Sequence, residues 1–543
     1  LPAIPPATVL ELIAMSLTHS PARSVGGMVA AAHPLASGAG AEILRAGGNA
    51  FDAVVATVAT LNVVEPFMSG LAGLGAATCW VAAEQRVRCL DFIPPLPAAF
   101  ETTRLGGEDI NTGASASGVP GNLAGWCLLL KTYGTKSLAE VLAPAIRNAR
   151  EGFPVSGLYA HSAAMTEVRA STPEWRAVYM PGEGACAEGW VVKQPRLAET
   201  YEAIAAEGPG YLYGGPLGKA MVEHLHDLGG PMSMADLEAV EPVWEQPLAT
   251  SYRDLLVHVP PPPAEAFQIP ITLRILDGFD LAGLEHLSAD HLDRVVRSIR
   301  LAAEARIINN NGSPAEIEEL LSEAKIAPLR DRVVDPAPIT ARTEQFGAAP
   351  PPEVAEARSH TTSISVADRH GNMICLTQSL GSPWGSTVVI PDTGVCMNNF
   401  MNWGDLNPAS PNLLIGGKRF AMCLSPSISL RNGAPVLALG TPGSYGIMQT
   451  QVQAMVHYVD YGLNLREAIE APRARLFDGR KVVLEDRVAP EVVAELRRRG
   501  HEIELPGPFT MQCGGMQGVS RDPSNGALAG AADPRRDGTA AGV

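Results

Sequence analysis

Ser359-His360-Thr361-Thr362-Ser363-Ile364-Ser365-Val366-Ala367-Asp368-Arg369-His370-Gly371-Asn372-Met373-Ile374-Cys375-Leu376-Thr377-Gln378-Ser379 is the stretch on which the reading of the whole chain turns. Thr361, Ser363 and Ser365 alternate with Thr362, Ile364 and Val366, the period-2 pattern of a strand. Asp368 to Gly371 supply turn residues, and Asn372 to Ser379 read as a second strand. A three-residue loop would set Thr361 directly opposite Ser379, and another loop length would move the partner by one residue. Two hydroxyls would then meet at the open end of a hairpin. A threonine hydroxyl is a weak nucleophile unless a base stands beside it, and one such base is the α-amine of a threonine that has become N-terminal. That amine has an ordinary pKa of about 7.7–8.0, suited to base work near neutrality. Taken alone, the stretch reads more simply as a Thr/Ser-rich strand, and only the surrounding chain reverses that preference.

Upstream, residues 347–358 have the alanine, proline and charge content of a linker, so a cut just after them would cost little structure. Downstream, Gly440-Thr441-Pro442-Gly443-Ser444-Tyr445-Gly446 joins a strand to an apolar helix of about Gln449 to Tyr461. A turn opening a helix aims backbone N–H groups at one point, which is how an oxyanion is held in acyl transfer. An ordinary loop is the competing reading. Further short strands are expected at Thr387–Ile390, Val395–Asn398, Ser427–Leu430, Val436–Leu439 and Val482–Glu485.

The first half begins with a proline-flanked arm, residues 1–24. A strand at Met28–Ala32 and a helix from Pro34 to Arg45 follow, stopped by Gly47-Gly48. Asn49 caps a second helix whose nearly uniform apolarity requires burial. The glycines of Ser69–Gly75 follow a helix and enter a strand, the reverse of a phosphate-binding loop, and read as close backbone packing. The middle of the chain is mainly helical, with Tyr252 to Val259 expected as one strand before four prolines. His224 and His226 stand two apart on a helix, a spacing that points them to different sides and disfavours a metal.

Composition sets the outer bounds. The chain has 543 residues, 46% of them hydrophobic, enough for one large core or several domains. A net charge of −16 disfavours nucleic acid and anionic membranes as partners. The eight cysteines lie scattered without a CxxC pair and are expected to be free buried thiols. No stretch reaches the roughly 18 apolar residues of a membrane span, and no basic-then-apolar leader is evident. A soluble protein is therefore expected; its compartment stays open, with the cytoplasm slightly favoured over the periplasm or secretion.

Together these segments resemble the γ-glutamyltranspeptidase family of N-terminal-nucleophile hydrolases, most clearly at 27–75, 117–154, 361–399, 425–446 and 514–538. Thr361-Thr362-Ser363-Ile364-Ser365-Val366-Ala367-Asp368-Arg369-His370-Gly371-Asn372 matches the family's Thr-Thr start, Gly440–Ser444 its Gly-Ser-Pro-Gly-Gly element, and Asp533–Gly538 its C-terminal signature. The resemblance implies an α/β fold, the four-layer αββα sandwich, made as a precursor that cuts itself between His360 and Thr361. Residues 1–360 and 361–543 would be large and small subunits of a heterodimer, with a dimer of heterodimers as an option. It further implies Thr361 as nucleophile and base, Ser379 in place of the family's second active-site threonine, and the N–H groups of Gly443 and Ser444 as oxyanion donors. No cofactor is implied.

The departures concern substrate. Where the family binds the glutamate zwitterion with arginine, paired serines, an asparagine, and amide and acidic side chains, this sequence has Ile93, Met422-Cys423, Gly381, Phe400 and Trp403. A zwitterion against such groups would lose water without gaining partners. The expected substrate is therefore a small-molecule amide with a neutral or aromatic acyl group, cleaved through an acyl-enzyme by hydrolysis or transfer. Trp384 reads equally as a wall of the same pocket or as a buried packing residue, and Lys418 and Arg419 read as solvated loop charges, with contact to an anionic substrate as the alternative. A γ-glutamyl hydrolase or transpeptidase with a rearranged site, and an uncleaved binding protein, are the competing functions.

Overall fold

The computed structural model describes residues 20–102, 110–170, 172–180, 186–339, 360–477 and 479–543. The linker-like 347–358 and most of the N-terminal arm lie outside the described residues. Two seven-stranded sheets form the middle of the molecule. One runs Thr539–Gly542, Gly27–Ala31, His360–Asp368, Met373–Gly381, Leu74–Val81, Arg86–Phe92, Val243–Glu245. The other runs Ala22–Ser24, Leu528–Ala532, Gln517–Arg521, Ala434–Gly440, Ser427–Arg431, Leu255–Val259, Leu248–Tyr252. Every pairing in both is antiparallel.

Alternation of side chains makes the four layers. Ile364 and Val366 of the His360–Asp368 strand point outward into an apolar cluster with the helices Ala50–Val64 and Leu138–Glu151. Ser363, Ser365 and Ala367 point inward to the second sheet, where Met28, Trp80, Cys375, Ile428, Ala438 and Val519 build the core between the sheets. The inward hydroxyls are paired: Ser363 Oγ lies 3.2 Å from Thr377 Oγ1, and Ser365 Oγ donates to the Gln517 carbonyl at 3.1 Å. Buried hydroxyls need such partners. The helices Gln268–Leu276, Ala289–Ile308 and Ile447–Val459 cover the outer face of the second sheet. The order is thus helix, sheet, sheet, helix, the expected αββα arrangement.

Local chemistry fixes the ends of the elements. Asn49 caps the buried helix in a box with Asp52, as its position predicts. The same helix end receives long-range help, because Ala50 N–H donates to Asp368 Oδ2 at 2.9 Å. Asp368 also accepts from His370 N–H at 2.8 Å and Asn372 N–H at 3.0 Å, closing the hairpin loop and docking it on the helix terminus, where a negative charge is favoured.

Some expected boundaries move. Tyr252–Val259 is two strands, Leu248–Tyr252 and Leu255–Val259, folded back through Arg253 and Asp254. Hydrophobic alternation on both arms hides such a turn when no Gly or Pro marks it. The expected strands at 387–390 and 395–398 shorten to Val389–Ile390 and Val395–Cys396. None of the eight cysteines forms a disulfide, and all but Cys127 are buried. No helix among the described residues is long and apolar enough to cross a membrane.

Candidate active site

The hairpin has the three-residue loop, with Asp368 N–H donating to the Asn372 carbonyl and Thr362 pairing with Gln378. At the open end the register slips: His360 pairs with Gly381 across a bulge between His360 and Thr362. Thr361 is therefore the irregular residue, and bulges re-aim side chains in this way. Its hydroxyl donates to Ser379 Oγ at 3.2 Å. Ser379 in turn donates to the carbonyl oxygen of His360 at 2.8 Å and accepts from Gly381 N–H at 2.9 Å. A continuous hydroxyl chain runs from Thr361 through Ser379 to the carbonyl of the peptide bond immediately before Thr361. Thr361 and Ser379 are each 1% exposed.

The Gly440–Ser444 turn lies on the same inner face. A Cβ on Gly440 would meet Ser363 Oγ at 2.1 Å, so glycine is required for the second sheet to come this close to the Thr361 strand. The segment Gly514-Gly515 packs against the turn, and Gly515 N–H donates to Thr441 Oγ1 at 3.3 Å. Gly443 has φ of 131° and Ser444 φ of 57°, both left-handed, and the short turn leads at Ile447 into the helix ending at Val459. A serine in this conformation carries backbone strain that glycine would not.

The six positions expected to meet substrate converge. Ile93, Phe400, Trp403, Met422 and Cys423 belong to one buried apolar cluster together with Tyr445, which follows the left-handed Ser444. Gly381 joins them through Trp403: a Cβ on Gly381 would lie 3.3 Å from Trp403 Nε1 and 2.2 Å from Asn399 Oδ1. The indole and the amide occupy the volume that a side chain at 381 would need. Met422 is fixed by backbone bonds at both ends, its N–H to the Pro263 carbonyl at 2.9 Å and its carbonyl from Glu265 N–H at 2.7 Å. Tyr445 meets Trp403 edge to face with ring centroids 5.9 Å apart and carries the Arg306 guanidinium 4.3 Å from its ring centroid. Arg306 is paired in turn with Glu265 in full burial.

One sequence reading changes here and one of two open readings is chosen. Arg419 is not a solvated loop charge: it donates to Asp91 Oδ2 at 2.5 Å and to the Ile93 carbonyl through Nε and Nη2, anchoring the loop before Met422 to the strand before Ile93. Trp384 is fully buried among Phe67, Tyr159, Trp175 and Tyr179, with ring centroids 5.2 to 5.5 Å away, and belongs to the core outside the first sheet. Three participants escaped sequence reading. Arg536 donates to the Thr361 carbonyl at 2.9 Å, Glu65 approaches Thr362 Oγ1 at 3.5 Å, and Tyr445 joins the apolar cluster. Arg536 stands within the C-terminal signature, which is the one signal that pointed toward it.

Two facing sheets between helical layers, with a Thr-Thr strand opening inward on a hydroxyl chain, define an N-terminal-nucleophile hydrolase fold. The family model described as Gamma-glutamyltranspeptidase matches residues 36–543, and the chain belongs to that family. It is an amidohydrolase of the N-terminal-nucleophile type. Among curated relatives, it is 33% identical to the Acylase ACY 1 proenzyme of Pseudomonas sp. (strain SE83), over 98% of this chain and 96% of that protein. It is 29% identical to the Glutathione hydrolase proenzyme of Bacillus subtilis (strain 168), over 95% of this chain and 91% of that one. The crystal structure of cephalosporin acylase from Bacillus halodurans superposes with a TM-score of 0.88 at 28% identity, covering 96% and 97% of the two chains.

Proposed function

We propose that this protein is a self-processing acylase that cleaves itself between His360 and Thr361 and then hydrolyses amides of neutral or aromatic acyl groups. The observation that carries the reading is the hydroxyl chain from Thr361 through Ser379 to the His360 carbonyl. In the intact chain, Thr361 Oγ1 adds to the His360 carbonyl carbon while its proton passes to Ser379, which donates to the developing oxyanion. Collapse breaks the peptide C–N bond, and the departing nitrogen takes up a proton. Water then hydrolyses the resulting ester, leaving a His360 carboxylate and a Thr361 with both its hydroxyl and a free α-amine.

In the mature enzyme the same atoms act on substrate. The α-amine accepts the Thr361 hydroxyl proton, the oxygen attacks the amide carbonyl, and the N–H groups of Gly443 and Ser444 hold the oxyanion. Expulsion of the amine leaves an acyl ester on Thr361, which water resolves. The cut yields subunits 1–360 and 361–543 that remain one folded unit, because strands from both sides of the cut interleave in both sheets.

The apolar cluster of Ile93, Phe400, Trp403, Met422 and Cys423 supports an acyl group without charge near the scissile bond. The likeness to the Pseudomonas acylase proenzyme supports an acylase, whereas the Bacillus subtilis glutathione hydrolase likeness supports a γ-glutamyl reading with other binding residues. Intact mass under denaturing conditions, with N-terminal sequencing of each fragment, tests processing. A fragment beginning Thr361-Thr362-Ser363 is expected, and Thr361→Ala is expected to stay whole. Cleavage of that variant at the same bond would overturn the assignment of Thr361. Processed protein is then expected to hydrolyse amides of aromatic acids and to leave a chromogenic γ-glutamyl anilide untouched; turnover of the anilide alone would transfer the assignment to the glutamyl reading.

A further inference from the structure

The helix Ala50–Val64 ends at Glu65, directly behind the Thr361 strand, and Glu65 is 1% exposed. Its Oε2 lies 3.5 Å from Thr362 Oγ1, and its Oε1 has no hydrogen-bond partner among the described residues. On the adjoining peptide, buried Arg536 donates to the Thr361 carbonyl at 2.9 Å. The peptide group between Thr361 and Thr362 is thus flanked by a carboxyl, reached through the Thr362 hydroxyl, and by a guanidinium on its oxygen. The charges bearing on this pair are few. Asp537 acts on both Glu65 and Arg536, and Asp533 acts on Arg536.

A buried carboxyl with one lone oxygen costs stability, and such groups gather where their charge is used. Burial pushes Glu65 up to about 7, with Arg536 pulling it back and Asp537 adding to the rise. Its charge therefore changes in the neutral range. We propose that Glu65 is a positioning residue whose charge sets the basicity of the Thr361 α-amine once the chain is cut, acting across the Thr361–Thr362 peptide in opposition to Arg536. The proposal rests on the self-processing reading above. With Glu65 ionised, the carboxylate offsets the guanidinium and the α-ammonium is tolerated. With Glu65 neutral, less of the Arg536 charge is offset, Asp533 and Asp537 alone remaining against it, so the ammonium is less favoured and more of Thr361 carries the free amine that catalysis needs.

The test is a pH titration of the Thr361 α-nitrogen by NMR in processed protein labelled with 15N-threonine, after intact mass has verified the cut. In the wild type we expect the amine curve to show a second inflection from the Glu65 carboxyl near 7. In Glu65→Gln that inflection is expected to vanish, with the amine pKa lower by about half a unit or more. A variant that is less stable but keeps the wild-type amine curve would assign Glu65 a packing role and overturn the proposal. If Glu65→Gln does not fold, the wild type decides alone: a single smooth amine titration overturns it. A wild-type chain that never cuts itself overturns the self-processing reading together with this one, whereas a cut chain with an uncoupled amine overturns only this one.

Discussion

The Ser379 hydroxyl sits 2.8 Å from the carbonyl oxygen of His360, the residue on the acyl side of the expected cut. Gly381 N–H donates to the same hydroxyl at 2.9 Å, so its orientation is set by the backbone beyond it. This geometry places a proton donor on the carbonyl that would become an oxyanion in the proposed self-cleavage.

Ser379→Ala is therefore expected to slow self-cleavage by about 100-fold or more, the usual scale for losing a proton-transfer group. Ser379→Thr is expected to retain it, since the hydroxyl survives. Time-resolved intact mass of freshly purified protein reads both. Equal rates for Ser379→Ala and wild type would remove Ser379 from the mechanism.

Gly381→Asn, which restores the side chain that the family resemblance implies for glutamate binding, is expected to damage the fold rather than recover glutamyl turnover. The residue has φ of 99°, and its Cβ would lie 2.2 Å from Asn399 Oδ1. A loss of about 2 kcal/mol is expected from overpacking and strain together. Denaturant midpoints together with a γ-glutamyl anilide assay check it; a stable, glutamyl-active variant would contradict the site as described.

Ser444 tests the turn. Since its expected role uses only the backbone N–H, Ser444→Gly should keep activity and change stability by less than about 1 kcal/mol, relief of left-handed strain being offset by glycine's unfolded-state freedom. Ser444→Val places a β-branched residue at φ of 57° and is expected to disrupt the turn and lower kcat. Comparable kcat values for the valine and glycine variants would show that the turn does not govern the reaction.

A histidine group supplies a pH dependence. His286 Nε2 and His457 Nδ1 lie 2.9 Å apart, with His291 stacked on His286. Burial, reinforced by the neighbouring imidazoles, holds His457 well below its ordinary value, and burial takes His291 down to about 3. Both are neutral in the fold, while the unfolded chain binds protons below about 6.5. Their contribution is thus complete above that pH and is lost as pH falls toward the folded values. The Tm is expected to fall from pH 7 to pH 4.5, and less steeply in His457→Gln; parallel curves would assign the acid sensitivity to other groups.

Much of the fold was readable because its signals are local. Asn49 and Asp52 announce a cap, Gly47-Gly48 a stop, and the loop after Asp368 fixes a register that brings Thr361 to Ser379. The αββα layering and the gathering of Ile93, Phe400, Trp403, Met422 and Cys423 followed from the family resemblance. What escaped depends on distant partners. Nothing near Glu65 in sequence announces Thr362 or Arg536, since three separate segments meet there. Arg419 reads as a loop charge until Asp91 is seen beneath it, and Trp384 reads equally as pocket wall or packing residue until four aromatic neighbours surround it. The bulge at Thr361 is a tertiary event, because no glycine or proline marks it.

The pairing of Thr539–Gly542 with Gly27–Ala31 has a consequence for how the molecule comes into being. Ser24 and Gly26 also bond to the carbonyl of Val543, so the outermost strand beside Gly27–Ala31 is supplied by residues more than 500 positions later. On the ribosome, the strand Gly27–Ala31 waits for more than 500 residues of synthesis before its outer neighbour Thr539–Gly542 exists. Vectorial synthesis cannot finish this sheet piece by piece. Its closure, and with it the firm seating of the strand that bears Thr361 beside Gly27–Ala31, has to wait for Thr539–Gly542 to be made, so the proposed chemistry at His360 is expected to follow that event.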